Sequence, residues 1–218
     1  MAFLQDWSPL TDLLGSLIEA ASIVVAAKIG IKGFDSITQK RIDNYQSKNH
    51  DLGKLLMKAE VEITIVAAYG DELLNQHAST IADCMRHGIA VRYLMHTIDA
   101  AEKMNEDFLC RKDARTKDEV TNVRKKLHFL HSAGQIEVRE WNQPLTASYI
   151  GIDLNQKSPK SEPTLQIMTY LYNTPSNETP ISYITYKEDY KRFLVTVNSI
   201  NQMWDNAIFV DTSPNSNA

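Results

Sequence analysis

Cysteine is nearly missing from this chain of 218 residues: Cys84 and Cys110 are the two it has, far apart in sequence. That number excludes a disulfide-stapled scaffold. With no stretch that reads as a secretory leader, a reducing, cytoplasmic setting is expected. Glycine is scarce as well, with 8 residues scattered along the chain. No glycine-rich phosphate cradle and no Gly-x-Ser-x-Gly elbow can be read from them, which argues against nucleoside-triphosphate and ordinary serine-hydrolase chemistry. An excess of positive charge is lacking too: 23 Lys and Arg stand against 27 Asp and Glu, a net charge of −4, and any nucleic-acid site would have to be a local patch. Metal-ligand spacing is absent. The histidines His50, His77, His87, His96, His128 and His131 have no Cys or carboxylate beside them in a zinc pattern. His128 and His131 share a helix face at i, i+3 without a third ligand, so neither a metal nor another cofactor is expected.

What is present is the composition of a globular protein, 43% apolar and 23% charged, of a length that suits one domain plus an appendage. Ser8-Pro9 opens an amphipathic helix whose apolar face runs Leu10, Leu13, Leu14, Leu17, Ile18, Ala21, Val24 and Val25. Residues 1–28 are therefore expected as an N-terminal helix, with 9–28 contacting a protein partner or a membrane surface. Asp12, Glu19 and Lys28 interrupt that stretch and weaken the case for a bilayer span. A second helix is expected from Ser36 to Lys58. Val61 to Tyr69 then reads as a buried central strand, Asp71 opens a helix that Gly88 stops, and Ile89 to Met95 is a second strand, so a parallel crossover is expected. Residues 99–134 are helical and charged. Strands follow at Gln135–Trp141, Ser148–Leu154, Thr164–Tyr172 and Ile181–Tyr186, then a last helix with Phe193, Val197, Ile200, Trp204 and Ala207 on one face. The pattern is that of an α/β protein with a mixed, mostly parallel sheet flanked by helices; 29–208 forms the domain and 209–218 a flexible tail.

Two stretches bear on chemistry. Between residues 111 and 126 seven basic residues, including Arg111, Lys112, Arg115, Arg124, Lys125 and Lys126, face three acidic ones. The run reads either as an anion or nucleic-acid contact or as a solvated helix face; interspersed acids and missing aromatics favour the solvated face. The second stretch is Thr146-Ala147-Ser148-Tyr149-Ile150-Gly151-Ile152-Asp153, on a strand after a turn. In this segment and in its order of elements the chain resembles the phospholipase D-like superfamily, whose signature is His-x-Lys followed after four residues by Asp. With Asp153 at the motif Asp, Thr146 stands at the His position and Ser148 at the Lys position. Ile29 to Phe34 with Arg41, Lys58 to Val66, Arg86 to Leu94, Thr179-Pro180-Ile181 and Met203 to Ala207 are similar to bacterial regulatory members that lack the motif. The resemblance spans roughly residues 29–208.

The resemblance implies an enzyme fold without its enzyme. In active members a His attacks phosphorus, a second His protonates the leaving group, and Lys residues hold the phosphate oxygens. A threonine hydroxyl without a base and a serine dipole cannot replace them. One motif position per chain implies a phospholipase D-like half-domain that completes itself as a homodimer, with the two Thr146 positions near a shared axis. The expected role is a catalytically inactive regulatory or ligand-sensing module. In it Thr146, Ser148, Tyr149 and Asp153 are candidates for a polar or mildly anionic ligand, unless Thr146 and Ser148 merely fill a strand and a dimer seam. The alternatives are a phosphodiesterase or nuclease with an altered site, and a nucleic-acid binder working through residues 111–126. Arg92 and Arg139, inside strands, read as paired structural cations. Cys84, on an apolar helix face, reads as core, and Cys110 as an ordinary helix residue.

Overall fold

In the computed structural model residues 52–106, 116–155, 162–172 and 179–211 are described. The expectations for the N-terminal helix, for Arg41, Cys110, Arg111, Lys112 and Arg115, and for the end of the tail lie outside them. In chain order the elements are α1 (Leu52–Leu56), β1 (Glu62–Ala67), α2 (Asp71–Arg86), β2 (Ala90–His96), α3 (Ile98–Met104), α4 (Thr116–His131), β3 (Ile136–Trp141) and β4 (Ala147–Ile152). They continue with β5 (Thr164–Thr169), β6 (Ile181–Thr185), α5 (Tyr190–Asn206) and β7 (Ile208–Val210). The strands make one seven-stranded sheet in the order β6-β5-β4-β1-β2-β3-β7.

Helices on both faces of the sheet follow from strand alternation. Ile63, Ile65 and Ala67 of β1 point to one face with Val91, Tyr93 and Met95 of β2. They pack against Leu74, Ile81 and Met85 of α2 and Val120, Val123, Leu127 and Leu130 of α4. Val66 and Leu94 point to the other face, where α5 lays Phe193, Val197, Ile200 and Trp204 over Ala147, Leu165 and Ile167. Each of the larger side chains contributes about 1.5–3 kcal/mol by leaving water. Local signals set the helix ends. The Thr97 side chain accepts the Ala100 N–H at 3.2 Å to start α3, and Asp189 accepts the Arg192 N–H at 3.1 Å to start α5. Past α2, Gly88 at φ 85 lets the Ile89 N–H return to the Cys84 carbonyl at 3.1 Å. Cys84 itself is core; burial, with Asp83 nearby, raises its thiol.

The sheet is mixed, but it is not mostly parallel. Among the described strands only β1–β2 and β2–β3 run parallel; β1–β4, β3–β7, β4–β5 and β5–β6 are antiparallel. The reason lies in the connections. Helices intervene from β1 to β2 and from β2 to β3, whereas segments 153–163 and 170–180 are shorter than the dozen or so residues a parallel crossover needs. Strand β7 was not expected. Its three residues follow α5 directly and pair Ile208 with Glu140 and Val210 with Val138, too short a run for alternation to mark.

Charged residues inside the strands are tied up in the fold. Arg92 bonds Glu62 at 3.0 Å and Thr64 at 3.1 Å, and its guanidinium lies 5.1 Å from the centre of the Trp204 ring. Arg139 lies 4.8 Å from the same ring, donates to the Trp204 carbonyl at 2.8 Å and pairs with Glu137 at 2.7 Å. Both are paired cations, and α5 is fastened to the sheet by them as well as by its apolar face.

Candidate ligand-binding site

Strand β4 carries Ser148 and Tyr149 and is flanked by Thr146 and Asp153, and it lies inside the sheet, between β1 and β5. Because β4 runs antiparallel to β1, with Val66 opposite Tyr149 and Ile63 opposite Ile152, its two ends meet opposite ends of β1. Asp153 and Ser148 are therefore separated by about 17 Å of extended chain, and the four residues do not converge on one point.

At the far end, Asp153 is fully enclosed. It stands at φ 53, a left-handed conformation that Asp tolerates better than most residues. Its carboxylate accepts the backbone N–H groups of Val61 at 2.9 Å, Glu62 at 3.0 Å and Glu60 at 3.1 Å. These bonds clamp the entry of β1 to the exit of β4. Tyr149 points to the α5 face, half-buried against that core, and burial raises its phenol.

At the near end, β1 and β2 finish and β4 begins, the edge where open α/β sheets take ligands. Thr146 is exposed, and its backbone is held on both sides. Its carbonyl accepts the Tyr170 N–H at 3.0 Å, and the N–H of the preceding Leu145 is donated to His96 Nε2 at 3.0 Å. His96 ends β2 and is completely buried. With Nε2 accepting, Nδ1 carries the proton and is buried without a hydrogen-bond partner; burial lowers the pKa to about 4, against the opposing effect of the Gln143 backbone. A histidine thus does come close to Thr146, as a neutral brace for its loop.

Ser148 points the other way, into a cavity of about 370 Å³ on the α2 side of the sheet. Ser148, Gln166, Met168 and Tyr170 supply the sheet wall, and Gly70 to Leu73, Gln76 and His77 supply the α2 wall. The Ser148 hydroxyl bonds the Tyr170 phenol, which also accepts the Ala68 N–H at 3.5 Å. Burial raises the Tyr170 pKa against these bonds, so Ser148 has a neutral phenol beside it rather than an imidazole or a carboxylate to activate it. Gly70 turns the chain from β1 into α2 at φ 77, and a Cβ there would stand 1.8 Å from the Tyr93 hydroxyl. Only glycine fits both the angle and the contact. That hydroxyl is buried without a partner, and burial, then Tyr170 and Asp71, push its pKa far up. Gln166 is 8% exposed, and its Oε1 has no donor.

The basic helix is engaged rather than free where it is described. Arg124 bonds Glu140 at 2.7 Å, Lys126 pairs with Asp71 and bonds Asn75, and Lys125 is exposed. Among the described residues no group of three His, Cys, Asp or Glu could hold a metal ion, and no helix is long and apolar enough to cross a membrane.

Of the described residues proposed from sequence for ligand or anion contact, Ser148 alone lines the cavity. Gln166, Tyr170, Tyr93 and Gly70 were not singled out, and His96 was weighed only as a metal ligand. Gln166 had a signal, a polar side chain between Leu165 and Ile167 in a buried strand. Gly70 had another, its place between a strand and a helix.

No protein-family model and no curated protein matches the chain. Among solved structures it is similar to TrmBL2, an archaeal chromatin protein described as showing a novel mode of DNA binding. The match has a TM-score of 0.42 and 11% identity, and covers 92% of this chain and 68% of that one. A likeness of that size assigns neither fold nor function.

Proposed function

We propose that the chain is a phospholipase D-like half-domain that has lost phosphoryl transfer and works as a dimeric regulatory module sensing a small ligand. The observation that carries this reading is the cavity beside Ser148, which joins a motif position to a space with no Lys or Arg among the described residues of its lining. Phosphoryl transfer needs a nucleophile with a lone pair and cations facing the developing charge. Thr146 is an exposed hydroxyl with no bonded base, and Ser148 is bonded to a phenol. The nucleic-acid alternative is less well supported, because Arg124 and Lys126 already hold carboxylates. In this reading the exposed Thr146 side chain faces a second copy.

The test has three readouts on the purified full chain. Bis(p-nitrophenyl) phosphate is expected to be hydrolysed no faster than in buffer. Sedimentation is expected to give a dimer. In two-dimensional NMR, a set of anionic, neutral and cationic fragments is expected to contain at least one that shifts Ser148, Gln166 and Tyr170. Turnover that disappears in the Thr146→Ala, Ser148→Ala double variant would overturn the proposal, and so would a fragment set that leaves those three residues unmoved. A monomer would remove the dimer from it.

A further inference from the structure

We infer that the cavity takes a small organic cation, an ammonium group carried on an apolar body. The inference rests on the reading of this cavity as a ligand site and adds the class of ligand. Charge is the first argument. Among the described residues Asp71, Glu72 and Glu119 line the space and no Lys or Arg does; Asp71 is paired with Lys126, but an anion would still meet the Glu72 carboxylate, charge of its own sign. The N-terminal end of α2 is the feature that would attract an anion. Its first turn already carries the Asp71 and Glu72 carboxylates, which offset that partial charge. Lys126 comes near but is held by Asp71 and Asn75.

The second argument is independent of the acids. Gln166, on β5 opposite Ile150, borders the cavity, and its enclosed Oε1 has no donor. A buried acceptor left unpaired costs about 1–3 kcal/mol, and an N–H group is what would satisfy it. The walls suit the remainder of such a molecule. Leu52, Met168 and the rings of Tyr69 and Tyr170 offer apolar surface and aromatic faces, to which a cation is attracted. The volume falls in the range of small-molecule sites.

Three fragments of one shape test the inference: benzylammonium, benzyl alcohol and benzoate, each titrated into the full chain and followed by NMR. Benzylammonium is expected to shift Ser148, Gln166 and Tyr170 saturably and to bind at least about tenfold more tightly than benzyl alcohol, with no shift from benzoate. Glu72→Gln is expected to weaken it about fivefold and Gln166→Leu about tenfold. Glu72 is exposed, so its variant leaves the test in force if the Gln166 variant does not fold. Preference for benzyl alcohol or benzoate overturns the cationic class while leaving a ligand site in place, as does benzylammonium binding that neither substitution changes. Binding of none of the three, in a chain that other fragments do reach at these residues, also overturns it. If no fragment of any charge reaches these residues, the ligand-sensing reading fails with it.

Discussion

At one end of β4 the Asp153 carboxylate is enclosed and takes N–H bonds from three successive residues, 60 to 62. At the other end Ser148 and Gln166 border a cavity, and Gln166 keeps an acceptor without a donor. One end of β4 thus carries a polar group fully served by the backbone, while the other borders a cavity where the neighbouring strand β5 holds an acceptor without a donor. Satisfied buried groups hold a fold together, whereas an unsatisfied one costs stability until a partner completes it. Removing the Asp153 carboxylate and removing the Gln166 acceptor should therefore change stability with opposite signs.

The largest expected effect is at the closed end. Asp153→Ala leaves three part-buried N–H groups without their acceptor and puts alanine at φ 53. It should cost about 4 kcal/mol in urea unfolding. Asp153→Asn keeps a side-chain oxygen and tolerates that angle, so it should lose about half as much. Equal losses in the two variants would show that charge alone matters there.

At the open end the backbone turn comes next. Gly70→Ala adds a Cβ 1.8 Å from the Tyr93 hydroxyl at a φ of 77, and should cost about 3 kcal/mol. Tyr93→Phe in the same background should recover part of it by removing the clashing oxygen. No recovery would mean that the angle carries the whole penalty.

His96 gives a pH dependence of defined sign. Its pKa is near 4 folded and about 6.5 unfolded, so between those values the unfolded chain binds the extra proton. The stabilisation is complete above pH 6.5 and is lost as the pH falls toward 4, by about 3 kcal/mol. The check is the unfolding midpoint from pH 7.5 to 4.5 beside that of His96→Gln, which should lack this component. Identical pH slopes in the two proteins would remove His96 as its source.

Much of the fold was legible because its signals are periodic. The apolar face Phe193, Val197, Ile200 and Trp204 marked α5, and the runs at Val61 to Tyr69 and Ile89 to Met95 marked β1 and β2, to within two residues. The orientation of β4 to β6 was not legible, since no periodicity states which neighbour a strand pairs with. Strand β7 has too few residues to show a period. The site was harder to find for a physical reason: Ser148 is near Gln166 and Tyr170 only through strand pairing, and near Gly70 only through the turn after β1. The motif spacing from Thr146 to Asp153 suggested one cluster, yet an extended strand carries its two ends to opposite edges of the sheet.

The most direct measurement is made on Gln166→Leu, a substitution of similar volume that removes the unpartnered Oε1. Unfolding free energy and fragment binding are to be determined on the same preparation. A cavity kept for a ligand predicts a gain of about 1 kcal/mol in stability together with loss of the NMR shifts at Ser148 and Tyr170. A less stable protein that binds as before would contradict the account, because Gln166 would then serve the fold and not a ligand.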